Sequence, residues 1–471
     1  MYILGIGCYY HDASATLLKD GTVVAAAQEE RFTRIKHDTS FPINAVTYCL
    51  QSQGISINDI KYIGFYEKPF LKFERFLFQH LESFPKSLKT FINSAPSWIK
   101  EKLRIVRTIR KKLRYKGDIL FVEHHLAHAA SAFLVSPFKK AAIVTVDGVG
   151  EWTTTTYGIG DENKIELFKE IRFPHSLGLL YSTITAYLGF KVNSDEYKVM
   201  GLAPYGEMSK HLNPYYELLR RVIDIKEDGS FKLDLDYFKY HYTNRMPSSL
   251  LCSTLGHPVR KPGSELTEDH KNIAAALQLI LEEVLTKILN HVYKKTRCNS
   301  IVLAGGVALN SVYNGKILKN TPFKKIWIQP DAGDGGTSLG VASYIYYSIL
   351  NNKRRYIFRN PYLGPKFSTN DVENFLDKND IDYQKFTDEK ELISQTAKLI
   401  FRNEVIGWFQ DGMEWGPRAL GARSILSNPC NPKMKDILNQ RVKHREAHRP
   451  FAPVVCEDDA LKYFECDAPI P

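Results

Sequence analysis

The sequence predicts an α/β protein in two parts: a large, internally duplicated domain over 1–354 and a smaller α/β domain over 355–471. Three observations carry this reading. A plan of three short strands joined by turns opens the chain and recurs from residue 140. Apolar strands then alternate with glycine loops and helices. Near residue 352 the character changes to "NNKRRYIFRNPYLGPKFS", polar and proline-bearing, as stretches between domains often are.

Taken in order, the first 33 residues read as strand, turn, strand, turn, strand: "YILGIGCYY", "SATLLKD" and "TVVAAAQEERF". Asp20-Gly21 between alternating apolar runs is a hairpin signal. From residue 140, "KAAIVTVDGVGEWTTTTYGIGDENKIELFKEIRF" repeats the plan, its first strand ending at Asp147-Gly148. Two such units suggest a duplicated nucleotide-binding fold. Between them, about 69–116, lies a helical, aromatic and basic insertion. "HKNIAAALQLILEEVLTKILNHVYKK" (270–295) reads as a long amphipathic helix feeding a strand, the Gly305-Gly306 turn and another helix. "KIWIQPDAGDGGTSLGVASYIYYSIL" repeats strand, glycine loop, helix. Such loops make anion sites, because free backbone N–H groups at a helix start point at the ligand.

Composition narrows the classes. No apolar run approaches the roughly 20 residues that span a bilayer. The start lacks the basic region of a secretory leader, so the cytoplasm is the expected location. Seven cysteines are scattered without a CxxC pair, which argues for reduced thiols and against a thiolate zinc site. The net charge of +11 is concentrated: Lys100 to Lys116 carries nine basic residues and one acid, +8 in all. Leu103, Val106, Ile109 and Leu113 form one stripe there, giving a basic amphipathic helix. It could face RNA, an anionic surface or solvent.

Several residues could carry chemistry. In "VEHHLAHAASAF", His124 and His128 project from one helical face, the spacing of metal-binding pairs, while His125 and His128 also fall on neighbouring faces. The same alanine-rich stretch also reads as a packing helix. Asp334 in "PDAGDGGTS" is the candidate third ligand, with Asp331 its rival. Two imidazoles and a carboxylate with open positions make a Lewis-acid or non-haem iron site. Asp147, Gly148 and Gly150 close a strand where a loop can wrap phosphate and the acid can orient a water, a magnesium ion or a hydroxyl. In the first repeat His11 and Asp12 occupy that loop, a pair suited to general-base work or to capping a turn. Arg418, Arg423, Lys443, Arg445 and Arg449 are interleaved with Trp415, Pro417, Leu420, Pro450 and Phe451. Guanidinium forks of this kind suit ATP or an acyl phosphate.

Collinear motifs then point to a family. "YYHDASATLL", "EERFTRIKHD", "EHHLAHAASAF", "VTVDGVGEWTTTT", "FPHSLGLLYS", "NSDEYKVMGLAPYG", "LAGGVALN", "PDAGDGGTSLG" and "EWGPRALGARSIL…VKHREAHRPFAP" resemble the O-carbamoyltransferases of the NodU/CmcH type over nearly the whole chain. The resemblance implies a TsaD-like N-terminal domain of the ASKHA class, the actin-like ATPases, and a YrdC-like second domain. It implies that the second domain makes carbamoyl-adenylate from carbamoyl phosphate and ATP, with magnesium, and that the first moves the carbamoyl group to a small-molecule or sugar hydroxyl. His124, His128 and Asp334 would hold a divalent metal, iron(II) in the family's relatives. His11 would assist deprotonation of the acceptor. Gly148, Gly305, Gly306 and Asn310 would hold the nucleotide, Lys198 a phosphate, and Arg418, Lys443, Arg445 and Arg449 carbamoyl phosphate and ATP. Family members run on past the final "YFECDAPIP", so the second domain is expected to be incomplete. A homodimer is one expected assembly. The alternatives are a tRNA-modifying carbamoyltransferase using the basic helix, a non-catalytic nucleotide-binding regulator, and a sugar kinase.

Overall fold

The computed structural model describes residues 1–465. It divides into two compact units, Met1–Arg359 and Asn360–Pro471. Cys466, one of the scattered thiols, lies outside the described residues. The other six cysteines are free.

The larger unit contains two five-stranded sheets of the same design. In the first, β1 (Tyr2–Gly7), β2 (Ser14–Lys19), β3 (Thr22–Gln28), β4 (Ile60–Phe65) and β5 (Asp118–Phe121) lie in the order β3-β2-β1-β4-β5. In the second, β6 (Lys140–Val146), β7 (Thr153–Asp161), β8 (Lys164–Arg172), β11 (Ser300–Ala304) and β12 (Lys325–Trp327) lie in the order β12-β11-β6-β7-β8. Each opens with an antiparallel meander and continues from its first strand into two parallel partners. That is the duplicated α/β plan that the sequence predicts. The intervening β9 (Ile223–Ile225) and β10 (Phe231–Leu233) form a separate hairpin.

Local chemistry explains these elements. β1, the centre of its sheet, is buried from Ile3 to Gly7, as a strand covered on both faces must be. Asp20 and Gly21 both take positive φ, at 48° and 85°, the requirement of a tight two-residue hairpin. The strand expected to run on through "QEERF" ends at Gln28, and Glu30–Thr33 is a helical turn. Glu29 is the cause: its carboxylate accepts N–H groups from Asn44 and Ala45 and so caps the helix Ile43–Gln51.

The insertion between β4 and β5 contains three helices, Pro69–Glu82, Leu88–Lys100 and Ile105–Leu113. The last buries Ile105, Ile109 and Leu113, while Val106 is exposed. The stripe anticipated through Leu103 and Val106 is therefore displaced. A 3-10 turn over Lys102–Arg104 restarts the helix at Ile105 and resets its phase. Its basic side chains Arg107, Arg110, Lys111 and Lys112 stay on the exposed side.

Two helices pack with almost no side chain between them. A Cβ on Gly340, in the helix Thr337–Ser343, would overlap the carbonyl oxygen of Ala127, and one on Gly5 would overlap that of Ser338. The helix His124–Phe133 is buried over nearly all its length, its alanines permitting this approach. No helix among the described residues is long and apolar enough to cross a membrane.

The smaller unit pairs β13 (Ile406–Phe409) with β14 (Arg423–Leu426) in an antiparallel hairpin, with helices Thr369–Lys378 and Glu389–Phe401. Neither helix buries a residue. The unit's interior is centred on Trp415, Ala422, Met434 and Leu438.

The glycine contact yields a prediction. Gly340→Val must force the Thr337–Ser343 helix away from the histidine helix and should destabilise the chain by about 1–3 kcal/mol, the usual cost of overpacking. Urea denaturation checks this; an unchanged midpoint would show that the two helices can separate freely.

Candidate active site

Four side chains from three elements converge on one point. His124 and His128 are one turn apart on the helix after β5, Asp147 directly follows β6, and Asp334 starts the turn before Thr337–Ser343. All four are buried, and one ligand atom of each lies within 4.8 Å of the others. His124 Nε2 stands 3.1 Å from His128 Nε2, 3.0 Å from Asp147 Oδ2 and 3.6 Å from Asp334 Oδ1. His128 Nε2 stands 3.4 Å from Asp334 Oδ1 and 3.9 Å from Asp147 Oδ2.

This donor set fits a divalent cation. With metal–ligand bonds of about 2.1 Å, neighbouring donors stand about 3.0 Å apart in an octahedron and about 3.4 Å in a tetrahedron. The observed separations already centre on those values. Asp334 Oδ2 is buried without a hydrogen-bond partner among the described residues, as are Nδ1 of His124 and His128. A buried carboxylate oxygen in that state is costly unless a cation answers it. Packing sets the imidazole orientation: Tyr66 meets His124 edge-on at 5.6 Å, and a Cβ on Gly150 would stand 3.0 Å from His124 Cβ. Burial lowers the His124 pKa, but the Asp334 charge and the Asp147 hydrogen bond outweigh it and raise it to about 9. Burial likewise opposes ionisation of Asp147, yet His124 and His128 hold its carboxyl well below the carboxylate range.

The remaining anticipated residues separate into distinct settings. Asp331 is elsewhere: it accepts from Gln28 Nε2 at 2.9 Å, and burial raises its carboxyl well above the usual range. His125 meets Thr145 Oγ1 at 2.6 Å, and burial with the charges of its two histidine neighbours keeps it neutral. Gly306 N–H donates to Asp147 Oδ1 at 2.8 Å, so the Gly305-Gly306 loop touches the cluster directly. Gly305 has φ 92°, and a Cβ there would run into the backbone of Val146. Asn310 exchanges hydrogen bonds with Gln278 and caps the helix Ser311–Asn314, which spends its amide on structure. Gly148 is half-buried with open space where a Cβ would stand. Lys198 pairs with Asp195 at 3.2 Å.

A second group sits in the loop after β1. Asp12 receives His11 Nδ1 at 2.7 Å on one oxygen and His37 Nδ1 at 2.8 Å on the other. His11 Nε2 meets the Asn193 carbonyl. Both partners of His11 only accept, so both its nitrogens are protonated in this arrangement. Burial lowers its pKa, but Asp12, by hydrogen bond and charge, raises it to about 10. His37 escaped the sequence reading. Its neighbour in "KHD" is acidic, but only the fold brings it to Asp12, 25 residues away.

In the smaller unit, Glu414 is buried and organises the arginine stretch. Its carboxylate accepts from Leu420 N, Ala422 N and Arg423 Nε at 2.7–2.8 Å. Arg423 also donates to the Gly416 carbonyl, so it is a structural strut of this loop. Arg445 donates to Asn439 and the Pro450 carbonyl and stacks on Phe451, and Arg449 reaches Glu446 at 3.8 Å. Arg418 and Lys443 are exposed.

Comparison with known proteins gives the fold and cluster a context. The family described as "Carbamoyltransferase N-terminus" matches residues 2–343, and "Carbamoyltransferase C-terminus" matches 397–471. The chain belongs to the carbamoyltransferases and is an enzyme of carbamoyl transfer. Among its relatives is an uncharacterized protein of Synechocystis sp., 46% identical over all of this chain and 78% of its own length. Nodulation protein NolNO of Sinorhizobium fredii is 35% identical over 97% of this chain and 64% of its own. Nodulation protein NolO of Bradyrhizobium diazoefficiens is 36% identical over 73% and 60% respectively. The chain thus spans under two thirds of both nodulation proteins. Among solved structures, full-length HypF in its phosphate- and nucleotide-bound form aligns with 74% of the chain at 14% identity and a TM-score of 0.37, a likeness that carries no argument.

Two measurements follow. Purified protein should retain a first-row transition metal, and His124→Ala or Asp334→Ala should lower metal affinity by about tenfold or more; elemental analysis after dialysis checks it, and unchanged content in both variants would remove the assignment. The His11 pKa is raised from about 6.5 unfolded to about 10 folded, so its stabilising contribution is complete below about pH 6.5 and is lost as pH rises through about 10. The stability advantage of the native chain over His11→Ala, from urea midpoints, should be constant at pH 6 and shrink steadily towards pH 10.

Proposed function

We propose that this carbamoyltransferase takes its carbamoyl group from carbamoyl phosphate with ATP, through carbamoyl-adenylate, and delivers it to a hydroxyl of a small-molecule or sugar-containing acceptor. The observation that carries the reading is the buried cluster of His124, His128, Asp147 and Asp334 in contact with the Gly305-Gly306 loop. It puts four potential metal donors beside a glycine turn whose lack of side chains lets a nucleotide phosphate approach, which supports the reading. His124, His128 and Asp334 would hold a divalent ion there, iron(II) the expected one, and it would supply Lewis-acid polarisation of the carbamoyl carbonyl. Magnesium is expected with ATP.

The chain's own residues supply positioning and proton transfer. The acceptor hydroxyl replaces the Asn193 carbonyl as the partner of His11 Nε2; with that acceptor gone the imidazolium gives its Nε2 proton to solvent, and the neutral ring then takes the hydroxyl proton. Asp12 keeps His11 Nδ1 protonated and fixes the ring, and it stabilises the imidazolium that results. The acceptor oxygen bonds to the carbamoyl carbon, the bond from that carbon to the adenylate oxygen breaks, and AMP leaves. Gly148, Gly150, Gly305 and Gly306 border the nucleotide, their missing side chains letting it come close to the backbone while the N–H groups of Gly150, Gly305 and Gly306 stay on Thr153, Ala332 and Asp147, with Lys198 near its phosphate. In the smaller unit Arg418, Lys443, Arg445 and Arg449 receive carbamoyl phosphate and ATP, on a loop that Arg423 and Glu414 hold in shape.

Incubation with carbamoyl phosphate and ATP should release AMP, phosphate and pyrophosphate and carbamoylate a hydroxyl acceptor. His11→Ala should lower the transfer rate by about 10²–10⁴-fold with supplied carbamoyl-adenylate. Full activity in that variant would remove His11 from the transfer step, and absence of nucleotide turnover would overturn the ATP-dependent route.

A further inference from the structure

The insertion between β4 and β5 buries cations without burying enough counter-charge. Lys72 and Arg75, on the helix Pro69–Glu82, are 2% and 8% exposed. Lys72 pairs with Glu67 and lies 4.6 Å from the centroid of the Tyr10 ring. Arg75 has no ion pair among the described residues. Its guanidinium rests 4.9 Å from the Phe173 centroid, Nη1 reaches Gln79 Oε1 at 3.4 Å, and buried Nε has no acceptor among the described residues. Lys102 stands 4.8 Å from the Trp98 centroid, and burial together with the nearby Lys72 charge pulls its ammonium below the usual range. Glu151 is already engaged, accepting the N–H groups of Lys68 and His124. Glu67, already paired with Lys72, is the carboxylate that all three cations feel, with Glu151 acting on Arg75 and Glu101 on Lys102 without pairing to them.

A guanidinium taken out of water without a counter-ion destabilises the free protein. Such groups persist where a ligand completes them. Their position is telling. Glu151 links the start of the insertion to the first residue of the histidine helix. The Tyr10 phenol is held in its neutral form first by burial, and it feels Lys72 and Arg75 as well as Asp334 and Asp147. Lys72 thus lies against a ring that also feels both carboxylates of the candidate metal centre. Asp147 meets the glycine loop with its other oxygen.

We propose that Lys72, Arg75 and Lys102 form an anion-binding subsite on the acceptor side of the histidine cluster, so that the acceptor is a hydroxyl compound carrying a phosphate or carboxylate group. The acceptor part rests on the reading that the glycine loop takes the nucleotide. The anion lies against the guanidinium of Arg75, with Lys102 adding charge at the rim and Phe173 holding the guanidinium plane.

The test uses the full chain and inorganic phosphate, with binding followed by calorimetry and thermal denaturation, with and without AMP. Phosphate should bind the native chain, raise its melting temperature and bind about equally with AMP present. Arg75→Met and Lys102→Gln should each weaken phosphate binding by about tenfold or more, and Arg75→Lys should retain part of it. Without phosphate, Arg75→Met should melt no lower than the native chain; a marked drop would make Arg75 a packing residue and count against the site. No binding, or binding unchanged in both variants, overturns the subsite. Displacement of phosphate by AMP gives the cations to the nucleotide and overturns the acceptor assignment. In turnover, a sugar phosphate should be preferred over its unphosphorylated parent, and Arg75→Met should erase that preference. Phosphate binding needs no turnover, so failure of the subsite and failure of the carbamoyl-transfer route read out separately.

Discussion

The carboxylate of Asp147 is the interaction on which the rest of the site depends. One oxygen accepts Gly306 N–H from the loop after β11, and the other faces His124 from the helix after β5. Its own carbonyl, with that of Gly148, receives the hydroxyl of Ser176, which caps the helix Leu177–Tyr187. A single buried residue thus fixes the end of β6 to three other segments. A charge in that position is tolerable only because donors and imidazoles answer it from every side.

The surroundings follow from that constraint. Imidazoles so close to two carboxylates must not move, yet their Nδ1 atoms have no hydrogen-bond partner among the described residues to orient them. Steric means take over. Tyr66 lies at the edge of His124, Gly150 admits the ring, and Gly340 brings the next helix onto the backbone at Ala127. Rigid packing here does the work that outer hydrogen bonds do at many metal sites. The loop after β1 is built differently. There a charged pair and a shared carboxylate set the geometry, and Asp12 itself adopts a positive φ of 42° to reach both histidines.

Much of this was legible in the sequence, and the reason is periodicity. The two three-strand units, the Asp20-Gly21 hairpin and the long helix Glu268–Thr296 are local signals that tertiary structure did not override. The spacing of His124 and His128 placed them on one face, and the glycine loop marked Asp334. Whether Asp331 or Asp334 faces the histidines was not legible, since it depends on Gln28 capturing Asp331 from another strand. Likewise Asn310 and Arg423 look like ligand residues in sequence but are consumed by Gln278 and Glu414 in the fold. His37, Glu151 and Arg75 were missed because their significance lies entirely in long-range contacts.

The repeated sheet has a consequence of its own. The loop that leaves β1 and the loop that leaves β6 occupy equivalent places in two copies of one design. The first now presents a histidine–aspartate pair, and the second an aspartate followed by glycines. One design thus carries two unlike loops, a histidine–aspartate pair held by a shared carboxylate and an aspartate that ties three segments together. Because each loop springs from its own sheet, a change in one leaves the strands that carry the other in place.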